Sequence, residues 1–185
     1  MEAERQVLSI LADLLTYPRP GLAERAREGA EMASSLSPQA AGKLEEFAEF
    51  FEGAPLGTVE EIYTRTFDLN PVCYPYLGFH VVGEGYRRGA FMVKLKEIYR
   101  EHGFPLGEED LPDYLPTMLR FLSVVEDEPT WSYLREECLL PALQKMEASF
   151  RGKENPYGKV IGAALDLLEK KENQEEAKGG VKPFA

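Results

Sequence analysis

Hydrophobic residues recur along most of this chain at the three- and four-residue spacing of amphipathic helices. The first such stretch lies between Arg5 and Thr16. Its apolar positions share one helical face, and they are Val7, Leu8, Leu11, Leu14 and Leu15. The prolines of the YPRP stretch that follows cannot continue a helix, because proline lacks the backbone N–H that a helix interior uses. The pattern therefore predicts a first helix that ends at this stretch.

Seven further segments repeat the helical pattern, and none shows the strict alternation of a β-strand. Their predicted starts are Pro20, Ser37, Thr58, Gly89, Asp113, Pro129 and Asn155. A chain of 185 residues has room for one domain with a substantial core. We therefore predict an all-α, single-domain bundle of about seven or eight helices over residues 1–168. The polar segment 169–185 is expected to be a charged, mobile tail.

Several predicted helix starts carry residues that satisfy free backbone groups. Ser37 can act as an N-cap before a proline at the first helical position. Thr58 and Glu61 have the spacing of a capping box, and Asp113 can cap the helix that follows it. Pro141 is expected to kink its helix, because its ring interrupts the hydrogen-bond ladder.

The charge balance narrows the choice of partner. Lys and Arg number 21 and Asp and Glu number 32, which gives a net charge of −11. Such a surface repels nucleic acids and anionic lipids, so neither is expected as a partner. Two interpretations stay open: the acidity keeps the protein soluble, or it attracts a basic ligand. No apolar run approaches a membrane span, and the N-terminus lacks the basic region of a signal peptide, so a cytoplasmic location is expected.

The stretch FHVVGEGYRRGAFM, residues 79–92, concentrates charged residues and glycines. It does not follow a predicted strand, it lacks the phosphate-loop pattern, and Glu84 would repel a phosphate. Cys73 with His80 lacks a recognisable third group to orient a catalytic pair. Two histidines and two distant cysteines do not form a zinc pattern, and the cysteines are expected to be buried free thiols. No metal or cofactor is expected.

A second unusual stretch is LPDYLP, in which prolines flank Asp113 and Tyr114. Proline restricts its own backbone and that of the residue before it, so these two side chains should be held rigidly at the start of a helix. On sequence grounds alone Asp113 is either a helix cap or a binding residue.

These stretches resemble a known family. LPDYLPTMLRFL is similar to the Leu-Pro-Asp-His-Leu-Pro segment of the nitrate reductase assembly chaperones of the NarJ type, within the wider TorD and DmsD group. HVVGEGYRRGAFM resembles their His-Val-x-Gly-Glu-x-x-x-Arg-Gly-x-x-Met segment, and IYTRTFD their Tyr-x-x-x-Phe-Asp segment. The sequence departs from the family where Tyr114 replaces the usual histidine and in the stretch between Asp68 and His80.

The resemblance implies an all-helical cytoplasmic chaperone and no catalysed reaction. The implied partner is the catalytic subunit of a molybdopterin oxidoreductase, held through a basic or twin-arginine-like N-terminal peptide. The chaperone keeps that subunit open for insertion of the molybdenum cofactor and prevents premature targeting. The chaperone itself is expected to be a monomer or a weak dimer.

We expect a groove for an amphipathic peptide helix, with aromatic side chains for affinity and carboxylates for orientation. The expected binding residues are Tyr63, Phe67, Tyr74, Tyr76, His80, Glu84, Arg88, Asp113 and Tyr114. Tyr63 and Phe67 are alternatively core residues, and His80 and Arg88 alternatively fix the turn before a helix. Two other functions stay open: an adaptor that binds a folded partner, or a small helical hydrolase using Glu84 and His80.

Overall fold

A computed structural model of the protein describes residues 2–69, 71–107 and 110–176, and within these residues the chain is all-helical. The helices are α1 (Glu2–Leu14), α2 (Leu22–Ala33), α3 (Pro38–Phe50), α4 (Leu56–Phe67), α5 (Leu77–Val81), α6 (Tyr86–Glu101), α7 (Leu115–Val124), α8 (Glu128–Tyr133, Leu134–Leu139 and Leu140–Ser149 in one continuous run) and α9 (Tyr157–Glu176). The predicted all-α class is confirmed. The described part of the chain also holds a short helix, α5, in a segment for which no helix was predicted.

The core forms where α1 packs against α2, α7 and α9. Helix α3 packs against α2 and α9, and α8 packs against α9 and α5. Helix α1 is buried on most of its circumference, since Val7, Ile10, Leu11 and Leu14 are all within 1% of full burial. A helix buried on several sides has to be apolar on several sides, which explains the dense leucine pattern of this segment.

Two of the predicted caps differ from the structure. Ser37 does cap α3, and its hydroxyl accepts a hydrogen bond from Ala40 N at 3.3 Å. The capping box at Thr58 is wrong, because α4 already begins at Leu56 and Glu61 instead pairs with Arg65 one turn later. The Asp113 cap is also wrong: Tyr114 occupies the N-cap position of α7, and Asp113 bonds elsewhere.

The glycine-rich stretch forms a turn and then α6. Gly83 and Gly85 have φ values of 79° and 87°, which glycine adopts without steric cost. Helix α6 begins at Tyr86, three residues before the predicted start, so Gly89 lies inside the helix. Only Leu95 and Tyr99 of α6 are buried, and this helix lies at the edge of the bundle.

Helix α8 contains a π-helical segment, Leu134–Leu139, directly before Pro141. Proline cannot donate to the carbonyl one turn back, so a local widening of the turn is a physically reasonable response to it. A kink was predicted at Pro141, and the structure shows a π-helical segment that ends two residues before this proline.

Helix α9 starts as expected, with Tyr157 N donating to Asn155 Oδ1 at 3.0 Å. It continues to Glu176, eight residues past the predicted domain end, and the remaining part of the predicted tail, 177–185, lies outside the described residues. Among the described residues no helix is long and apolar enough to cross a membrane.

Candidate functional site

The site forms where two segments that are distant in sequence pair through their backbones. Tyr76 and Tyr114 form an antiparallel backbone bridge. Leu77 N donates to the carbonyl oxygen of Asp113 at 2.7 Å, and Leu115 N donates to that of Pro75 at 2.9 Å. This short pairing joins the start of α5 to the start of α7 and brings the two unusual sequence stretches together.

A buried ion pair reinforces the crossing. Arg88 donates from Nε to Asp113 Oδ2 at 2.7 Å and from Nη2 to Asp113 Oδ1 at 3.1 Å. Gly78 N donates to the same Oδ2 at 3.2 Å. The Asp113 side chain is 0% exposed, so its charge is neutralised within the chain. The hydrogen bonds to Asp113 raise the pKa of Arg88 above its usual value. Asp113 therefore positions neighbouring residues and offers no surface to a ligand.

Gly78 is needed for this close approach. A Cβ atom at this position would lie 2.7 Å from Asp113 Oδ2, 2.9 Å from Arg88 Cγ and 3.0 Å from Phe91 Cδ1. Real Cβ atoms do not approach other atoms this closely, so any larger residue would push the ion pair apart. The glycine lies directly before the stretch 79–92, and its role is steric.

The partly exposed rings of Tyr76 and Tyr114 lie next to the ion pair, and Tyr17 is connected to them through Tyr63; we call Tyr17, Tyr76 and Tyr114 the tyrosine platform. The Arg88 guanidinium stacks over the Tyr76 ring at 5.0 Å from its centroid, and the Tyr76 and Tyr114 centroids are 5.8 Å apart. The ring of Tyr17, which is 52% exposed, meets the buried ring of Tyr63 edge-on at 5.5 Å.

Hydrogen bonds below the platform hold its rings in place. The hydroxyls of Tyr63 and Tyr114 lie 3.1 Å apart, and the carbonyl oxygen of Leu15 accepts from them at 3.2 Å and 3.4 Å. This links the platform to the end of α1. Burial, followed by the neighbouring Tyr114, raises the pKa of Tyr63 far above its usual value, so this hydroxyl stays protonated.

Two carboxylates act on the platform, the half-buried Glu60 and the exposed Asp68, which we call the acidic rim. Desolvation and then the negative charges of Glu60 and Asp68 raise the pKa of Tyr17. Burial is the largest cause that raises the pKa of Tyr63 and of Tyr114, and the negative charge of Asp68 raises both pKa values further. The negative charge of Asp68 therefore reaches the platform, where it can attract a cation.

Tyr63 and Phe67 lie in the core. They are 4% and 3% exposed, and both rings contact Tyr157, at centroid distances of 5.6 Å and 5.2 Å. Of the two interpretations of these residues, the burial favours the core. Tyr63 still supports the platform from below through its ring and its hydroxyl.

Tyr74, His80 and Glu84 lie on a neighbouring part of the surface. His80 Nε2 is 2.8 Å from the carbonyl oxygen of Tyr74, and the exposed Tyr74 ring contacts Phe79 at 4.2 Å. Lys145 of α8 donates to the carbonyl oxygen of His80 at 2.6 Å. His80 therefore fixes the loop between α4 and α5, and Glu84 is exposed on the turn before α6.

The described residues give little support for a catalytic or metal-binding function. They contain no group of three or more His, Cys, Asp or Glu side chains that could hold a metal ion. Burial raises the pKa of Cys73 to about 12, so its thiol is protonated and a poor nucleophile. No hydrogen bond joins Glu84 to His80 within this described part. Both cysteines are buried and free, as predicted.

Sequence reasoning missed Tyr17 and the acidic rim. Tyr17 was considered only as part of the stretch that ends α1, although a large aromatic residue between a helix end and two prolines is a signal for an exposed, rigidly held ring. Asp68 lies in the matched Tyr-x-x-x-Phe-Asp segment but was not selected. Glu60 has no local sequence signal, because only the fold places it beside Tyr17.

Comparison with known proteins identifies the family to which this chain belongs. The family described as nitrate reductase delta subunit matches residues 33–147, which include α3 to α7 and most of α8. The probable nitrate reductase molybdenum cofactor assembly chaperone NarJ of Bacillus subtilis (strain 168) is 30% identical over 140 residues, covering 74% of this chain and 75% of the relative.

Two further proteins are similar. The nitrate reductase molybdenum cofactor assembly chaperone NarJ of Escherichia coli (strain K12) is 28% identical over 163 residues, covering 86% of this chain and 68% of the relative. The crystal structure of a protein from Archaeoglobus fulgidus, described as a redox enzyme maturation protein, superposes with a TM-score of 0.63. It is 21% identical in sequence and covers 89% of this chain and 93% of that one, which supports the fold.

Proposed function

Because this chain belongs to the nitrate reductase delta subunit family, we propose that it is a system-specific maturation chaperone for the catalytic subunit of a molybdoenzyme of the nitrate reductase type. It binds that subunit before assembly and supports insertion of the molybdenum cofactor. The bound element is the N-terminal peptide of the subunit, basic or twin-arginine-like. The protein acts in the cytoplasm, as a monomer or weak dimer, and catalyses no reaction.

The observation that carries this proposal is the buried pair of Arg88 and Asp113. It joins the two sequence stretches that match the family and holds Tyr76 and Tyr114 side by side at the surface. A pair of rings fixed in this way provides apolar contact area without the entropy cost of ordering mobile side chains. This suits a site that binds an amphipathic helix through its apolar face.

The acidic rim is proposed to bind the basic side chains of the peptide. Glu60 is half-buried and Asp68 is exposed, and the negative charges of both reach Tyr17 of the platform. Basic side chains along one edge of the docked helix would pair with them, while its apolar face covers the tyrosines. Charges of this kind mainly increase the association rate and the specificity, whereas the aromatic contacts supply most of the affinity.

Among the residues expected to bind the peptide, the structure supports different roles. Tyr76 and Tyr114 are proposed to touch the ligand, and Tyr74 and Glu84 extend the surface beyond them. Arg88, Asp113 and Tyr63 hold the platform, and Phe67 supports Tyr63 from the core. His80 positions the loop that carries Tyr74.

Affinity capture from the native host tests the proposal. Wild-type protein and the Tyr76→Ala variant are used as baits under conditions in which the molybdoenzyme is expressed, and retained proteins are identified by mass spectrometry. The chaperone function predicts that wild type retains a molybdopterin-enzyme catalytic subunit lacking cofactor and that Tyr76→Ala retains much less. Equal retention of the mature, cofactor-loaded enzyme would favour an adaptor, and retention of no such subunit would contradict the proposal.

A further inference from the structure

Next to the tyrosine platform lies a small open pocket between α1, α2 and α7, with a volume of about 290 Å³. Its wall includes the guanidinium groups of Arg19, Arg25 and Arg120 and the single carboxylate of Asp13. Because Arg25 also pairs with Glu28, three arginines share two carboxylates here, which leaves an excess of positive charge on a chain whose net charge is −11. The pocket is therefore a local positive region on an acidic protein.

The single carboxylate is shared unevenly among the arginines. Arg25 donates to Asp13 Oδ2 from Nε and Nη2, at 3.1 Å and 2.8 Å, and to Glu28 from Nη1 at 2.6 Å. Arg120 makes only one longer contact, from Nη2 to Asp13 Oδ1 at 3.3 Å. Arg19 forms no ion pair with any residue that the structure describes. Two guanidinium groups thus keep donors available for an anion.

The pocket and the tyrosine platform are continuous. Tyr17 belongs to both, since it lines the pocket and stacks on Tyr63. On the opposite wall, the charge of Arg120 reaches Tyr114 of the platform. Negative charge from Glu60 and Asp68 and positive charge from Arg120 therefore both reach the platform, and Arg19 lines the same pocket as Tyr17.

We propose that the pocket lined by Arg19, Arg25 and Arg120 binds a side-chain carboxylate, an Asp or Glu of the peptide that docks on the tyrosine platform. This rests on the proposed function. A carboxylate fits because guanidinium groups bind it in a planar, often bidentate manner. The consequence is orientation: the basic residues of the peptide face the acidic rim and an acidic residue enters the pocket, so the peptide docks in one direction only.

A double-mutant cycle between the protein and the peptide tests this inference. The probe is the N-terminal peptide of the host's molybdoenzyme catalytic subunit, labelled for fluorescence anisotropy. Each Asp or Glu of the peptide is replaced in turn by Asn or Gln. The protein variants are Arg19→Gln, Arg120→Gln and the double variant, and circular dichroism confirms that they are folded.

Arg100→Gln is the matched control, because it removes the same charge from an exposed position of α6. Arg100 lies twelve residues after Arg88, which is about 18 Å along the helix. The double variant should weaken binding about tenfold, whereas Arg100→Gln should leave it nearly unchanged. Replacement of one particular Asp or Glu of the peptide should weaken binding to wild-type protein by a similar factor. The same replacement should weaken binding to the double variant little further, which is the signature of a direct pair.

Several results would overturn the inference and leave the proposed function standing. The first is wild-type affinity of the double variant for the peptide. The second is an equal loss of affinity for every substituted peptide, with wild-type protein as with the double variant. The third is a client peptide that contains no Asp or Glu. Competition by inorganic phosphate without any coupled peptide carboxylate would assign the pocket to a free anion and overturn it as well. A peptide that fails to bind wild-type protein would instead contradict the proposed function.

Discussion

Arg88 and Asp113 form a two-point hydrogen-bonded ion pair, at 2.7 Å and 3.1 Å, in which the carboxylate is completely buried. Arg88 comes from α6 and Asp113 from the residues just before α7, so the pair closes a long loop of the chain. Its charge is satisfied internally, and what it presents to the outside is the pair of rings that it holds in place.

Removal of the arginine should therefore be costly. Arg88→Ala leaves the Asp113 carboxylate buried without a cation, and such a change costs about 3–5 kcal/mol of the free energy of unfolding. The exposed neighbour Arg87 provides the control, because Arg87→Ala should change stability by no more than about 0.5 kcal/mol. Urea denaturation followed by circular dichroism measures both. Similar stabilities for the two variants would mean that the pair is not important for folding.

The glycine beneath the pair gives a second prediction. Gly78→Ala places a Cβ atom 2.7 Å from Asp113 Oδ2, so the protein should lose both stability and peptide binding. Gly89→Ala is its counterpart, since nothing lies within 4 Å of a Cβ at that position inside α6. The second variant should gain up to about 1 kcal/mol, because alanine favours a helix over glycine. Thermal unfolding of the two proteins should therefore shift in opposite directions.

The tyrosine platform predicts a specific loss of binding. Tyr76→Ala should weaken binding of the client's N-terminal peptide by about 2 kcal/mol, because it removes a central aromatic contact. Tyr86→Ala removes the same ring from a position that is 92% exposed and outside the platform, and it should bind like wild type. Calorimetric titration gives the affinities. If both variants bind equally well, the peptide docks elsewhere.

His80 predicts a pH dependence of stability. Burial lowers the pKa of His80 below its usual 6.5, because the charged imidazolium is disfavoured there. The unfolded chain then binds a proton at a higher pH than the folded one. The free energy of unfolding should fall as the pH drops through about 6.5 towards the lower folded-state pKa.

This contribution should disappear in His80→Gln, which cannot take up the proton. Denaturation curves across this pH range, with an NMR titration of the His80 ring, provide the measurement. An imidazole that titrates at or above 6.5 in the folded protein would contradict the prediction.

The comparison of sequence and structure separates local from long-range information. Helical periodicity located the main helices, and Ser37 and Asn155 act at their helix starts as predicted, because caps depend on neighbouring residues only. Thr58 was assigned wrongly for the same local reason: its spacing to Glu61 suits a cap, but the chain had already entered α4 at Leu56.

The site itself depends on contacts that no local pattern encodes. The sequence singled out Asp113 as either a cap or a ligand-binding residue, and the structure shows a third role, since Arg88 from another helix takes up its charge. The role of Tyr17 became visible only when the fold brought it next to Tyr63 and Glu60. Motif resemblance identified the family, whereas the contacts of the motif residues could be seen only in the three-dimensional structure.

The most direct test of the chaperone function is the molybdenum content of the client. The catalytic subunit is purified from host strains that carry the wild-type gene for this chain, a deletion, or the Tyr76→Ala variant, and its molybdenum is measured by elemental mass spectrometry. The proposed function predicts a cofactor-poor subunit in the deletion strain, a partial deficit with Tyr76→Ala and full loading with wild type. Full molybdenum loading in the deletion strain would contradict it.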